Sequence, residues 1–222
     1  VETPPPVSTP ETPRLIDALL AGYAAGALEP YLHALIESHL ILSGENRSFV
    51  RSLEAAAGEE LDSIDASPPV RPARDHVLAA IYADGWYGRP RPPKLDPDMP
   101  APLARLVGSR LDDVKWKLVA PGVREHVLHD GDGVQASLIK LKPGCAIPSH
   151  THEGLEATLV LRGAFSDSSG RYRRGDAAVA DAAVDHRPVA DRGGDCICYS
   201  VSDAPFRLTG PVGRIVERLF RS

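Results

Sequence analysis

A chain of 222 residues with 43% apolar residues and a net charge of −5 can bury a core as one large domain or two small ones. No stretch reaches the roughly 18 apolar residues of a membrane span, and residues 1–14, with five prolines, lack the basic start and hydrophobic run of a signal peptide. A cytoplasmic protein without a membrane partner is expected, one in which Cys145, Cys196 and Cys198 stay thiols.

Charge is uneven along the chain. Residues 1–70 hold three Arg/Lys and eleven Asp/Glu, a net of −8 that leaves +3 for the remainder. Phosphate binding needs clustered Lys and Arg, so this acidic half argues against nucleic acid as a direct ligand. A basic protein partner suits it better, although a solvated helical surface would carry the same charge.

In chain order, residues 1–14 read as a disordered Pro-rich start. Residues 15–87 follow with helical spacing: Leu15, Leu19 and Tyr23; Leu32, Leu35, Ile36, His39 and Leu40; Phe49, Val50, Leu53 and Leu61; Val77, Leu78, Ile81 and Tyr82. That pattern predicts four helices, with Gly26 at a helix end, Pro30 at a start, and Ser67-Pro68-Pro69 before the fourth. Residues 88–102 contain six prolines and predict an extended linker, across which few contacts should run and on either side of which each half should fold alone. Residues 103–222 break into short strand-like runs at 114–119, 126–128, 134–141, 156–161, 177–180, 196–201 and 214–219, which predict a small β-sandwich or barrel. The whole is α+β, a small helical domain followed by an all-β one.

The strongest pattern runs from Gly144 through His150, His152 and Glu156 to Gly163. His150 and His152 are two residues apart, so both imidazoles leave an extended strand on one face. His186 stands eleven residues after Gly175. Together these stretches resemble the paired motifs of the cupin superfamily, a jelly-roll barrel. The first motif matches at every defined position, whereas the second keeps Gly175 and His186 but has Asp181, Ala183 and Ala190 where the family usually has Pro, Gly and Asn. Three imidazoles and a carboxylate would hold one divalent transition metal, zinc first, with iron, manganese and nickel open. The alternative is a barrel that has lost its metal and keeps these histidines as packed residues. His33, His76, His126 and His129 form no such set. Cys196 and Cys198 share a strand face and are expected to pack as small apolar groups, a dithiol redox pair being the alternative.

Residues 17–28, 150–165, 185–198 and 202–205 resemble the anti-sigma factors of the ChrR type, in which a helical sigma-binding domain precedes a cupin. The resemblance implies an extracytoplasmic-function sigma factor as partner and a metallo-cupin needed for the response to singlet oxygen and related oxidants such as organic hydroperoxides. It leaves room for a homodimer through the cupin. The family's N-terminal zinc site falls on Arg14, His39, Ser43 and Asn46, of which one is a ligand type, so no N-terminal zinc is expected. Ser43 is then expected to cap the third helix and His39 to join the core. The competing function is a small metal-dependent cupin enzyme, a dioxygenase or isomerase, with a vestigial helical segment. Glu153 and Asp185, adjacent to the predicted ligands, would point away from the cavity by strand parity.

Overall fold

The computed structural model describes residues 14–67, 73–83, 96–204 and 206–209. The expected disordered start up to residue 13, most of the expected linker and the strand expected over 214–219 lie outside the described residues. Helix α1 (Leu15–Ala24) begins where Asp17 accepts the Arg14 backbone N–H at 3.0 Å. Helix α2 (Pro30–Leu42) starts on Pro30, whose missing N–H costs nothing there, and Glu29 accepts the N–H groups of Tyr31 and Leu32. Helices α3 (Arg47–Asp62) and α4 (Ala73–Ala83) complete the predicted four. A fifth, α5 (Ala101–Val107), begins inside the stretch read as linker. Pro102 is tolerated there because the first turn of a helix has no carbonyl partner for its N–H. No described helix is long and apolar enough to cross a membrane.

After a short 3-10 turn (Leu111–Asp113) the chain is β. The strands are β1 (Lys117–Ala120), β2 (Val123–Gly131), β3 (Val134–Leu141), β4 (His150–His152), β5 (Glu156–Arg162), β6 (Ala164–Ser166), β7 (Arg171–Arg173), β8 (Ala177–Ala180), β9 (Val189–Ala190), β10 (Cys196–Ser202) and β11 (Phe206–Leu208). A six-stranded sheet runs β1-β2-β3-β10-β5-β8, with its described pairs antiparallel. Facing it are the ladders β11-β4 and β7-β6-β9, joined by the bridges Ala146–Val189 and His150–His186. Two sheets face to face make the jelly roll.

The central strands β3, β10 and β5 of this sheet are buried on both sides, and strand parity sorts their residues. Ala136, Leu138, Ala157, Leu159, Leu161, Ile197, Tyr199 and Val201 turn outward into one apolar core with Leu19 and Leu20 of α1, Leu35 and Ile36 of α2, and Leu103 of α5. Leu141, Val160, Cys196 and Cys198 turn inward to Phe165. The expectation of few contacts between the halves is therefore corrected. The described end of the expected linker is packed: Met99 is buried, Asp96 accepts the Leu111 N–H at 2.8 Å, and Asp98 meets Arg162 at 2.7 Å. Proline content signalled an extended chain, but a chain without free N–H groups can still lie in a packed groove. By contrast α4 keeps Val77, Ile81 and Tyr82 exposed, and Leu61 near the end of α3 is 66% exposed. Their helical spacing is legible in the sequence, but these side chains belong to no core cluster among the described residues.

Candidate metal centre

His150 and His152 sit at either end of β4, on one face, as their spacing predicts, and both are buried. Glu156 opens β5 on the opposite sheet, and His186 is brought across by the bridge to His150, with the two backbones exchanging bonds of 3.1 and 3.0 Å. These four residues form the group that could hold a metal among the described residues, their ligand atoms lying within 4.8 Å of one another. All three imidazoles present Nε2: His150 to His186 is 3.0 Å, His152 to His186 is 3.4 Å, and Glu156 Oε2 lies 3.0 Å from His152 and 3.6 Å from His186. Nitrogens bound at roughly 2.0–2.1 Å to one ion stand about 3.0 Å apart at a right angle and about 3.4 Å apart at the tetrahedral angle. The donor set therefore fits a single transition ion.

The outer ring atoms prepare this arrangement. His150 Nδ1 donates to the Pro148 carbonyl at 2.8 Å and His186 Nδ1 to Asp167 at 3.0 Å, which leaves each Nε2 as a lone-pair donor. His152 Nδ1 is buried and has no partner among the described residues. Asp167 was not found in the sequence: it lies in the turn between β6 and β7, where the Ser169 and Gly170 N–H groups hold it, and no spacing links it to His186. Burial pushes the Asp167 carboxyl up, but the bond from His186 and the two N–H groups outweigh this and hold it below the usual range. Glu156 behaves alike: burial raises it, and His152, Ser200 and His150 together bring it below its ordinary value. Burial also lowers His150, which favours the neutral, ligating form.

Cys196 and Cys198 are buried, with their sulfurs 3.6 Å apart on one strand face. The Cys196 contact and burial push the Cys198 thiol well up, so it packs as a protonated apolar group. Glu153 and Asp185 point outward as parity predicts, to Arg207 and Thr209 respectively. His126 and His129 bond to the carbonyls of Lys115 and Gly131, while His33 stacks near Tyr23, so the structure brings none of these to the centre.

Residues 105–204 match the ChrR cupin-like domain family. The chain is 41% identical over 208 residues to the anti-sigma-E factor ChrR of Cereibacter sphaeroides, covering 92% of this chain and 96% of that protein. The chain belongs to the ChrR family of anti-sigma factors. A crystal structure of Rhodobacter sphaeroides SigE in complex with the anti-sigma ChrR aligns with a TM-score of 0.71 at 38% identity, over 84% of this chain and 96% of that one.

At the corner between α2 and α3, where the sequence resemblance led to the expectation of no zinc, the side chains bond to protein instead. His39 is buried and spends both nitrogens on protein: Nδ1 donates to the Gly175 carbonyl at 2.7 Å, and Nε2 accepts from the Asn46 amide at 2.9 Å. Arg47 adds bonds to the Leu40 and Ile41 carbonyls at the end of α2. The expectation that Ser43 caps α3 is corrected: α3 begins four residues later, and the Ser43 hydroxyl accepts the Glu45 N–H instead. Gly175, counted in the sequence as a cupin-motif residue, has φ +92°, and a Cβ there would press on the Leu42 backbone at 3.2 Å. The motif glycine thus seats the end of α2 against the barrel.

Proposed function

We propose that this chain sequesters an extracytoplasmic-function sigma factor through the helical segment 15–87 and releases it when an ion held by the barrel segment 103–222 responds to an oxidant, singlet oxygen or an organic hydroperoxide. The observation that carries the reading is the apolar face of α4, with Val77, Ile81 and Tyr82 exposed on a net acidic half. A free chain would not maintain such a face for its own stability, and a basic protein surface complements the surrounding charge. Family membership supports the partner class, since the relative solved with SigE spans both halves of this chain.

His150, His152, Glu156 and His186 would hold the ion, with zinc the first candidate and iron, manganese and nickel open. The ion would supply a fixed positive charge and an open coordination position. Leu35 and Ile36 of α2 lie against the outer side of β5 and β10, whose inner side carries Glu156 and Ser200, so one sheet thickness separates centre and helices.

The test is transcription by RNA polymerase with its sigma factor and the full-length chain, with and without oxidant. Inhibition that oxidant relieves in the wild type but not in His150→Ala supports both halves of the reading. Absence of any inhibition would favour the small metal-dependent enzyme instead.

A further inference from the structure

The inner face of the six-stranded sheet changes character along its strands. Register places Leu141 beside Cys196 and Ile139 beside Cys198 at one end, then Ser137 beside Ser200 and Gln135 beside Ser202 at the other. The apolar end forms a small pocket of about 30 Å³ beside His150 and His186, lined by Ile139, Phe165 and Val184 among others. The polar end opens into a cavity of about 90 Å³ that shares His150, His152 and Glu156 with the centre. Strand parity explains why β3 alternates as it does: Ala136 and Leu138 face the helices, so Gln135 and Ser137 must face the cavity.

Some hydroxyls in this cavity are committed. Ser200 donates to Glu156 at 2.8 Å and accepts from Thr158, and Ser202 bonds to Ala204. The Ser137 hydroxyl is not: the residue is 4% exposed, lines the cavity, and its side chain has no hydrogen bond among the described residues. Gln135 and Glu125, on the same wall, are likewise uncommitted among the described residues. These polar groups face the cavity and can bond whatever occupies it without displacing a protein partner.

We propose that the barrel mouth binds a small, neutral, multiply hydroxylated molecule, held by Ser137, Gln135 and Glu125 with one oxygen turned toward the His150–His152–Glu156–His186 cluster. Charge decides against an anion. No Arg or Lys lines either pocket, and a divalent ion at the centre would be balanced by Glu156 and Glu125 together. Size sets the scale: at roughly 10–15 Å³ per water, the cavity takes on the order of six heavy atoms, about that of a three-carbon polyol. A short carbon edge would enter the apolar pocket. The proposal rests on the metal reading only for the oxygen turned to the centre; the hydrogen-bonding wall stands without it.

The probe is glycerol, compared with propan-1-ol and with lactate, on full-length protein loaded with cobalt(II) and on metal-free protein. Visible cobalt absorption reports the first, and saturation-transfer NMR of the probe reports both. Glycerol is expected to bind saturably and at least about tenfold tighter than either comparator. The double variant Ser137→Ala, Gln135→Leu should lose about tenfold in glycerol affinity while keeping the cobalt spectrum of the unliganded protein. Glu125→Gln, at the partly exposed rim, should instead strengthen lactate binding by several-fold, because it removes the facing carboxylate. Lactate binding as tight as glycerol, glycerol affinity unchanged in the double variant, or no saturable signal would each overturn the proposal. A chain that takes up no cobalt sinks the metal reading alone, and the NMR titration of metal-free protein then decides this one.

Discussion

The barrel centre and the free end of the helical segment are built to opposite rules. At the centre, His150, His152 and His186 are buried, and the rings of His150 and His186 are aimed by Pro148 and Asp167. On α4, three apolar side chains stand in solvent. The first region is organised before any ligand arrives, so little ordering cost remains to be met on binding. The second is organised only in its helical spacing, and its apolar surface gains free energy when a partner covers it. Between them, α1, α2 and α5 share one core with the sheet.

The largest expected effect tests the prepared region. Replacing both His150 and His152 with Ala should reduce transition metal from about one equivalent to none by elemental analysis. It should also remove the stabilisation that mass action gives a bound ion, about 4 kcal/mol at a thousandfold excess over Kd. Two equivalents, or one that survives in the double variant, would mean that the ion sits elsewhere. Next comes the shared core: Leu35→Ala should cost about 3 kcal/mol in urea unfolding and move the helical and barrel signals in a single transition. Separate transitions would show that the two parts are energetically distinct despite their contact.

The exposed region should behave in reverse. Ile81→Ser combined with Tyr82→Ser should change stability by no more than about 0.5 kcal/mol, yet weaken capture of the sigma factor about 100-fold in a titration. A stability loss as large as that of Leu35→Ala would show that α4 already has a partner within the chain. At the α2–α3 corner, His39→Ala should cost about 2 kcal/mol and Asn46→Ala about 1 kcal/mol, and chelator should change neither value. The smallest effect is acid dependence. Asp167 and Glu156 both lie below their ordinary values, so in metal-free protein they add stability above the unfolded carboxylate value of about 4, and this is lost as pH falls through their own lower values. Asp167→Asn should flatten that part of the pH–stability curve; an unchanged slope would mean the His186 contact has no energetic weight.

The comparison also explains what could be read in advance. The spacing of His150 and His152 identified a common face because a strand repeats every two residues, and the apolar repeat of α1–α4 identified helices because an α-helix repeats every 3.6. Helix α5 was missed because Pro100 and Pro102 look like linker residues, although a helix accepts proline at its first turn. Ser43 was misassigned because a capping residue is recognised by its type, while the actual cap depends on where the backbone turns.

The sequence by itself determined four of the five described helices, the β-rich character of the second half, and the four residues that converge at the centre. Each of these is written in local periodicity or short spacing. Only the tertiary structure decided that Asp167 orients His186, that the Gly175 carbonyl receives His39, that Ser137 faces an open cavity, and that the helices and barrel share a core. These pairs stand 19, 136 or more residues apart, or depend on which face of a sheet meets a helix. Strand register and layer packing set them, and both are settled by burying apolar surface across the whole chain at once.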